Sequence, residues 1–184
     1  ISSTKLKKSK KLLEETEPYF YSLQDLIRRI LRHMPDVEHF YFNPRKEIKE
    51  EDRVKGLIVI TGDKGLAGAY NHNVLKMAQE WMEQSKNHRL YVVGELGRHY
   101  FEARHIQVEE QFHYTVQNPT MHRARLISST ILEDYEEGRL DEVWIIYTQM
   151  INSMQMEAEM TALLPLKRED FSNIVIPADI IQEE

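Results

Sequence analysis

The sequence predicts an α/β fold: a mainly parallel, Rossmann-like sheet flanked by helices and preceded by a long N-terminal helix. Residues 57–61, 90–93 and 143–147 are continuous apolar runs rich in β-branched residues, the pattern of strands buried on both faces. Amphipathic helical periods lie between these runs. Because strands that alternate with helices form parallel, covered sheets, the order of the segments supports the same fold.

The first 36 residues contain no glycine and carry a heptad-like apolar seam. Its positions, spaced alternately by four and three residues, are Leu12, Thr16, Tyr19, Leu23, Leu26 and Ile30. Such a helix is about 50 Å long and exposes more apolar surface than one small domain can cover. We therefore interpret it as half of a coiled-coil stalk. Pro18 is expected to kink it, because proline removes a backbone hydrogen bond.

Three parts of the chain follow from these patterns. Residues 1–36 are predicted to form the stalk helix and residues 54–166 a globular α/β domain, while residues 167–184 are a tail to which we assign no structure. Residues 156–162 alternate between apolar and polar side chains, which predicts a strand with one wet face. This strand is expected to pair antiparallel with residues 143–151 through a turn at Asn152 and Ser153. Because Ile1 lies within the helical pattern, we also expect a segment before it.

Two amphipathic helices are predicted inside the domain. The first has an apolar face formed by Val74, Met77, Ala78, Trp81 and Met82. The second has its face at Ala124, Ile127, Ile131 and Tyr135. Asn118 and Pro119 are suited to its start, and Gly138 can adopt the left-handed conformation that ends a helix.

Composition excludes several classes of function. The chain has 184 residues and a net charge of -6, which argues against nucleic acid as a partner, since phosphate binding normally needs a basic surface. It contains no cysteine, so it has no disulfide, zinc ribbon or thiol nucleophile, and the cytoplasm is the default compartment. No apolar run approaches the roughly 20 residues that span a bilayer, so direct membrane insertion is not expected.

A glycine-rich loop follows the first predicted strand. Gly62, Gly65 and Gly68 stand where a doubly wound sheet would bind phosphate, yet their spacing matches neither a dinucleotide fingerprint nor a P-loop. We therefore interpret them as a structural turn that permits positive φ and close helix–strand packing. The alternative is a free-standing Rossmann-like nucleotide-binding or enzyme domain that uses residues 62–72.

Catalytic, metal and cofactor sites have little support. Asp63, Lys64 and His72 could transfer protons, but no nucleophile or metal-ligand spacing accompanies them. The eight histidines are scattered and lack a metal-binding pattern. We expect no catalytic residues, no metal ligands and no cofactor.

Basic residues crowd the start of the predicted stalk helix. Lys5, Lys7 and Lys8 are candidates for contact with an acidic protein partner, although a merely solvated helix face is an equally good interpretation.

Three segments together resemble the gamma subunit of F-type, or rotary, ATP synthases over about residues 1–171. They are ISSTKLKKSKKLLEETEPYF, ITGDKGLAGAYNHNV and YTQMINSMQMEAEMTALLPL. The second is the most specific. One departure from the family is Ala67, where members often have cysteine. Family members continue upstream with more helix and end with a long helix that winds around the first. The sequence therefore resembles a gamma subunit without its extreme N-terminal and C-terminal coiled-coil segments.

The resemblance implies a rotor in the central stalk, which couples rotation driven by transmembrane ion flow to ATP synthesis on the beta subunits. Its implied partners are the alpha and beta subunits of the head, the epsilon subunit and the c-subunit ring. Catalytic residues would belong to the beta subunits. Other subunits would determine whether protons or sodium ions drive rotation. In a bacterium, the complex would hold the protein peripherally at the cytoplasmic face of the plasma membrane.

Overall fold

The computed structural model describes residues 44–62, 68–109, 121–152 and 155–165, with seven separate positions nearer the amino terminus. Those seven positions are helical: Lys7, Lys10, Lys11, Leu13, Glu14, Tyr21 and Asp25. The predicted stalk helix as a continuous element, the tail 167–184, Asn118 and Pro119 lie outside the described residues.

The described elements alternate between strand and helix before a closing hairpin. A 3-10 turn, Glu50–Asp52, precedes them. The strands are β1 (Lys55–Ile60), β2 (His88–Val93), β3 (Glu142–Asn152) and β4 (Gln155–Leu164). The helices are α1 (Gly68–Glu83), α2 (Glu95–Ala103) and α3 (Met121–Glu136). Among the described residues, no helix has both the length and the apolar character needed to cross a bilayer.

The sheet is mixed and has the strand order β2-β1-β3-β4. β1 lies between β2 and β3 and is parallel to both, with Leu57 opposite Leu90 on one side and Trp144 on the other. β4 is antiparallel to β3, and the ladder ends at the pair Asn152 and Gln155. The predicted α/β class and the antiparallel pairing of the last strand are therefore confirmed.

The sheet is buried on both faces, as the continuous apolar runs predicted. Alternate residues of a strand point to opposite faces, so Leu57 and Val59 share one side, where they join a core cluster with α1 and α2. The other side is covered by α3, since the Tyr91 hydroxyl group bonds to Asp134 on that helix. Leu140, just beyond α3, is fully buried beside Gly56 of β1.

Both predicted helix faces are confirmed. On α1, Val74 and Ala78 are fully buried, and Met77, Trp81 and Met82 pack against the same cluster. On α3, the predicted residues that can be described are all buried: Ile127, Ile131 and Tyr135. Gly138 has φ 79° and its amide donates to the Tyr135 carbonyl oxygen, so it ends the helix in the left-handed conformation, as expected.

Two features differ from the sequence prediction. Helix α2 was not predicted, because it is short, contains Gly97 and buries only Gly97 and Phe101. The wet face of β4 is limited to its start, where Gln155 and Glu157 are exposed, whereas residues 158–162 are all half-buried. Both faces of β4 are therefore partly covered along most of its length.

The core can be tested with two isoleucines on the same strand. Ile146 of β3 is fully buried, whereas Ile151 is 47% exposed. Ile146→Ala should lower the free energy of unfolding by about 2–5 kcal/mol, because it leaves a cavity in a packed core. Ile151→Ala is the matched control and should change stability by less than about 0.5 kcal/mol. Equal losses for the two variants in urea titrations would contradict the described sheet.

Candidate functional site

A ligand site would be expected at the carboxyl end of β1, because doubly wound sheets bind ligands beyond the carboxyl ends of their strands. β1 ends at Ile60, and Thr61 and Gly62 continue it between β2 and α2. Thr61 is fully buried. Whether this edge can receive a ligand depends on which polar groups there remain available.

Thr61 uses its polar groups within the protein. Its amide donates to the Val93 carbonyl oxygen at 2.8 Å, and its hydroxyl group donates to the same oxygen at 3.1 Å. The hydroxyl oxygen also accepts from the Gly97 amide at 3.0 Å. The Leu96 amide donates to the Gly62 carbonyl oxygen at 3.1 Å. Amides in the first turn of a helix are the usual donors to a phosphate. Two of those amides in α2 already donate to Thr61 and Gly62.

Asn71 completes this junction from α1. Its side-chain oxygen accepts from the Gly62 amide at 3.0 Å, and the residue is buried. The junction thus joins the end of β1 to the starts of both α1 and α2. We define the Thr61 junction as Thr61, Gly62, Asn71, Gly94 and Gly97.

Two glycines of the Thr61 junction allow the chains to approach closely. A Cβ atom on Gly94 would lie 2.2 Å from the Thr61 carbonyl oxygen, and Gly94 has φ 102°. A Cβ atom on Gly97 would lie 2.7 Å from a Val92 methyl carbon. These close contacts leave no space for a side chain at either position.

The residues predicted for the glycine turn are placed as follows. Gly62 is buried in the Thr61 junction, and Gly68 is the first residue of α1. Gly65 lies outside the described residues. The turn interpretation of the three glycines therefore stays a prediction.

The other candidates are not brought together. His72 is exposed on α1, whereas Asp63 and Lys64 lie outside the described residues. Lys7 is helical and exposed, and Lys5 and Lys8 are not described. Within the described part of the chain, no three histidine or acidic side chains are grouped so that they could hold a metal ion.

A shallow groove of about 380 Å³ lies between α1 and β4. It is lined by Asn73, Lys76, Met77, Glu80, Met156, Glu157 and Ala158. Its charged groups are of both signs, and its methionines are largely buried in the packing between helix and sheet. The groove therefore lacks the convergent polar groups that orient a small ligand.

A cluster that sequence reasoning missed closes the amino end of the sheet. Asp141 precedes β3, and its carboxylate accepts from the Val54 amide at 2.8 Å. The Asp141 amide donates in return to the Val54 carbonyl oxygen at 2.7 Å. Arg45 forms an ion pair with the same carboxylate at 3.2 Å, with both side chains about nine-tenths buried.

Arg45 uses the rest of its guanidinium group on the corner between α3 and β3. It donates to the Leu140 carbonyl oxygen at 2.8 Å and to the Tyr135 carbonyl oxygen at 3.3 Å. Its guanidinium carbon lies 4.1 Å from the centre of the Tyr135 ring, an arrangement that adds a cation–π attraction. Arg45 therefore holds this corner through several contacts at once.

Arg53 binds back onto the segment that carries Arg45. Its two terminal nitrogens donate to the carbonyl oxygens of Pro44 and Arg45, each at 2.8 Å, and its Nε donates to Glu142. Glu142 also accepts from the Trp144 indole nitrogen at 3.1 Å. We call Arg45, Arg53, Asp141 and Glu142 the arginine brace.

A third polar group lies under α3. The Asp134 carboxylate is buried and accepts from the Tyr91 hydroxyl group and from Arg139, each at 2.7 Å. Burial raises the pKa of Tyr91 far above its ordinary value, and the hydrogen bond to Asp134 raises the pKa further. Tyr91 therefore stays protonated in the folded protein and acts as a fixed donor.

The sequence contains one signal for these clusters. Charged residues stand directly before the apolar runs, as Arg53 does before β1 and Glu142 does at the start of β3. A charged residue at the start of a buried strand needs a partner, because an unpaired buried charge is costly. Which residue supplies that partner depends on the fold.

The described residues thus define an α/β domain in which buried polar side chains hold its own elements together at both ends of the central strand. Comparisons with known proteins agree with this class. A family model described as ATP synthase matches residues 1–183. The ATP synthase gamma chain of Ruminiclostridium cellulolyticum is 44% identical over 168 residues, which cover 91% of this chain and 56% of that relative.

A second relative and a solved structure are also similar to this chain. The ATP synthase gamma chain of Caldanaerobacter subterraneus is 38% identical over 184 residues, covering all of this chain and 62% of the relative. A chain of the central stalk and c-ring structure of the Tetrahymena thermophila mitochondrial ATP synthase shares the fold, with a TM-score of 0.50 and 19% identity over 94% of this chain and 74% of that one. The protein belongs to the ATP synthase gamma-chain family. It spans 56–62% of the length of these curated relatives.

The close packing at the Thr61 junction can be tested by comparing Gly94 with Gly138, a glycine outside the junction that also has positive φ. Gly94→Ala should destabilise the protein by more than about 3 kcal/mol, because overpacking adds to the cost of a left-handed backbone. Gly138 also has positive φ, but a Cβ atom there would meet nothing within 4 Å. Gly138→Ala should therefore cost only roughly 1–2 kcal/mol. Similar losses for the two variants in chemical denaturation would contradict the close approach at Gly94.

Tyr91 provides a test that depends on pH. Tyr91→Phe should lower the free energy of unfolding by about 1–3 kcal/mol near neutral pH, since the buried Asp134 carboxylate loses a donor. Above about pH 10 the unfolded state releases the tyrosine proton while the folded state keeps it, so the contribution of Tyr91 falls as pH rises. The difference between wild type and variant should therefore shrink at about pH 11.

Urea titrations at both pH values measure this difference. Tyr100→Phe is the control, because the Tyr100 hydroxyl group is bonded to Gln79 on a half-buried surface and should contribute less. A gap between wild type and Tyr91→Phe that stays constant or widens with pH would contradict the assigned contact.

Proposed function

We propose that this chain is part of a central-stalk rotor, the gamma subunit of an F-type ATP synthase. The observation that carries the proposal is the family match over residues 1–183, together with gamma-chain relatives up to 44% identical. In this role the protein couples rotation driven by transmembrane ion flow to ATP synthesis on the beta subunits. It carries out no bond-making step itself.

The mechanism we propose is mechanical. A stiff, asymmetric shaft presents a different surface to each beta subunit as it turns and so shifts each site among states of different nucleotide affinity. The described domain suits a mechanical part, because hydrogen bonds hold both ends of β1. Asn71 and Asp141 accept from the Gly62 and Val54 amides. Thr61 binds Val93 of β2, and Arg53 binds Glu142 of β3. Such closure supports a rigid body more than a ligand-binding one.

The proposal assigns a role to each part of the chain. Residues 1–36 form the stalk helix, residues 54–166 form the globular foot, and residues 167–184 follow as a tail. The heptad-like seam supports the first assignment, and Leu13 and Tyr21, which are helical, agree with it. The long helix needs a second helix to complete a coiled coil.

The partners follow from the same proposal. The stalk helix contacts the alpha and beta subunits, and the globular domain contacts the epsilon subunit and the c-subunit ring. Lys5, Lys7 and Lys8 would run along acidic loops of the head, which is consistent with the exposure of Lys7. In a bacterium, the complex would hold the protein at the cytoplasmic face of the plasma membrane without inserting it.

Reconstitution of the synthase tests the proposal. Head and membrane sectors are combined in vesicles with or without the full-length protein, and ATP-driven ion uptake and ion-driven ATP synthesis are both measured. Both activities should require the protein, because nothing else would link rotation to the beta subunits. Full coupling in its absence, with the complex shown to be assembled, would refute the assigned role.

A further inference from the structure

The segment before β1 has an unusual arrangement of buried arginines. Residues 44–53 are the described part of the connection between the proposed stalk helix and the globular domain, and both Arg45 and Arg53 within this segment are turned into the protein. Buried arginines need several acceptors, because burial removes their water. In this segment those acceptors belong both to the domain and to the segment itself.

The two arginines hold the segment from opposite directions. The Arg45 side chain reaches out to the domain, where it binds Asp141 and the Leu140 carbonyl oxygen. The Arg53 side chain reaches back along the chain to the carbonyl oxygens of Pro44 and Arg45. The start of the segment is therefore held by the Arg53 side chain, and the Arg53 side chain is itself held by Glu142.

The arginine brace also fixes the direction in which the chain enters the domain. Arg45 has φ 51°, in the left-handed region that non-glycine residues rarely adopt. Its side-chain contacts to the corner between α3 and β3 supply the interactions that hold this backbone in place. The backbone at Arg45 is thus held by several simultaneous contacts rather than by one peptide bond.

The contacts of the brace reach residues remote in sequence. Arg45 and Asp141 are 96 positions apart, and Arg53 and Glu142 are 89 positions apart. Asp141 and Glu142 lead directly into β3, which pairs with the central strand. A force applied at Pro44 is therefore delivered to β1 through the chain and to β3 through the arginines.

We propose that Arg45 and Arg53 are positioning residues that form the torque-bearing joint between the stalk helix and the globular domain. This inference rests on the proposed rotor function. Without the brace, residues 44–53 would be flexible and would twist before torque is transmitted. The brace makes the joint stiff, so rotation of the domain is transmitted to the shaft without loss of angle.

The test compares lysine variants in the assembled synthase with the full-length chain. Arg45→Lys and Arg53→Lys, singly and together, keep the positive charge but lose the planar set of donors that binds several acceptors at once. Arg104→Lys is the matched control, because Arg104 is exposed, stacks on Tyr100 and donates to the Tyr100 carbonyl oxygen of the preceding helix. Lys86→Cys at an exposed turn, in a synthase whose other cysteines have been replaced, provides a unique attachment point for a probe.

Two measurements separate a joint from a merely structural role. With the catalytic head locked, the angular fluctuations of the probe report the stiffness of the joint, and ions transported per ATP hydrolysed report coupling under load. The double variant should assemble and hydrolyse ATP without load as wild type does, but show larger fluctuations and a loss of ions transported per ATP. The Arg104→Lys control should match wild type in all three.

The outcomes can be distinguished from failure of the rotor proposal. If the double variant does not assemble, the single variants are measured instead, and each should show an intermediate increase in angular fluctuation. Wild-type stiffness and coupling in any assembled brace variant would overturn the joint. A wild-type protein that supports no coupling at all would instead refute the rotor function on which the inference rests.

Discussion

The structure depends on the burial of β1. This strand lies between two parallel neighbours and is covered on both faces, so water cannot satisfy the polar groups at its ends. The protein must supply every partner itself. Asp141 binds the Val54 amide before the strand, and Asn71 binds the Gly62 amide beyond it. The rest of the domain is arranged around these two closures.

Closure at the carboxyl end depends on α2. Thr61 and Gly62 accept hydrogen bonds from two amides in the first turn of α2, and Gly94 and Gly97 let that helix approach closely. The end of β1 and the start of α2 therefore hold each other in place.

The sequence could predict those parts of the fold that depend on local patterns. Continuous apolar runs identified the three parallel strands, and the position of Gly138 identified the end of α3, because both signals lie within a few residues. Helix α2 escaped prediction, since nine residues with a glycine in the first turn give too weak a period. The arginine brace also escaped it. Arg45 and Asp141 meet only after β3 has paired with β1, and no pattern along the chain encodes that meeting.

The amides at the carboxyl end of β1 and the start of α2 have acceptors within the protein. Amide hydrogen exchange at Thr61, Gly62, Leu96 and Gly97, measured with and without magnesium nucleotide, tests it most directly. We expect slow exchange at all four amides without ligand and no change when nucleotide is added, because their acceptors are internal. Fast exchange that becomes slow on adding nucleotide would contradict the account.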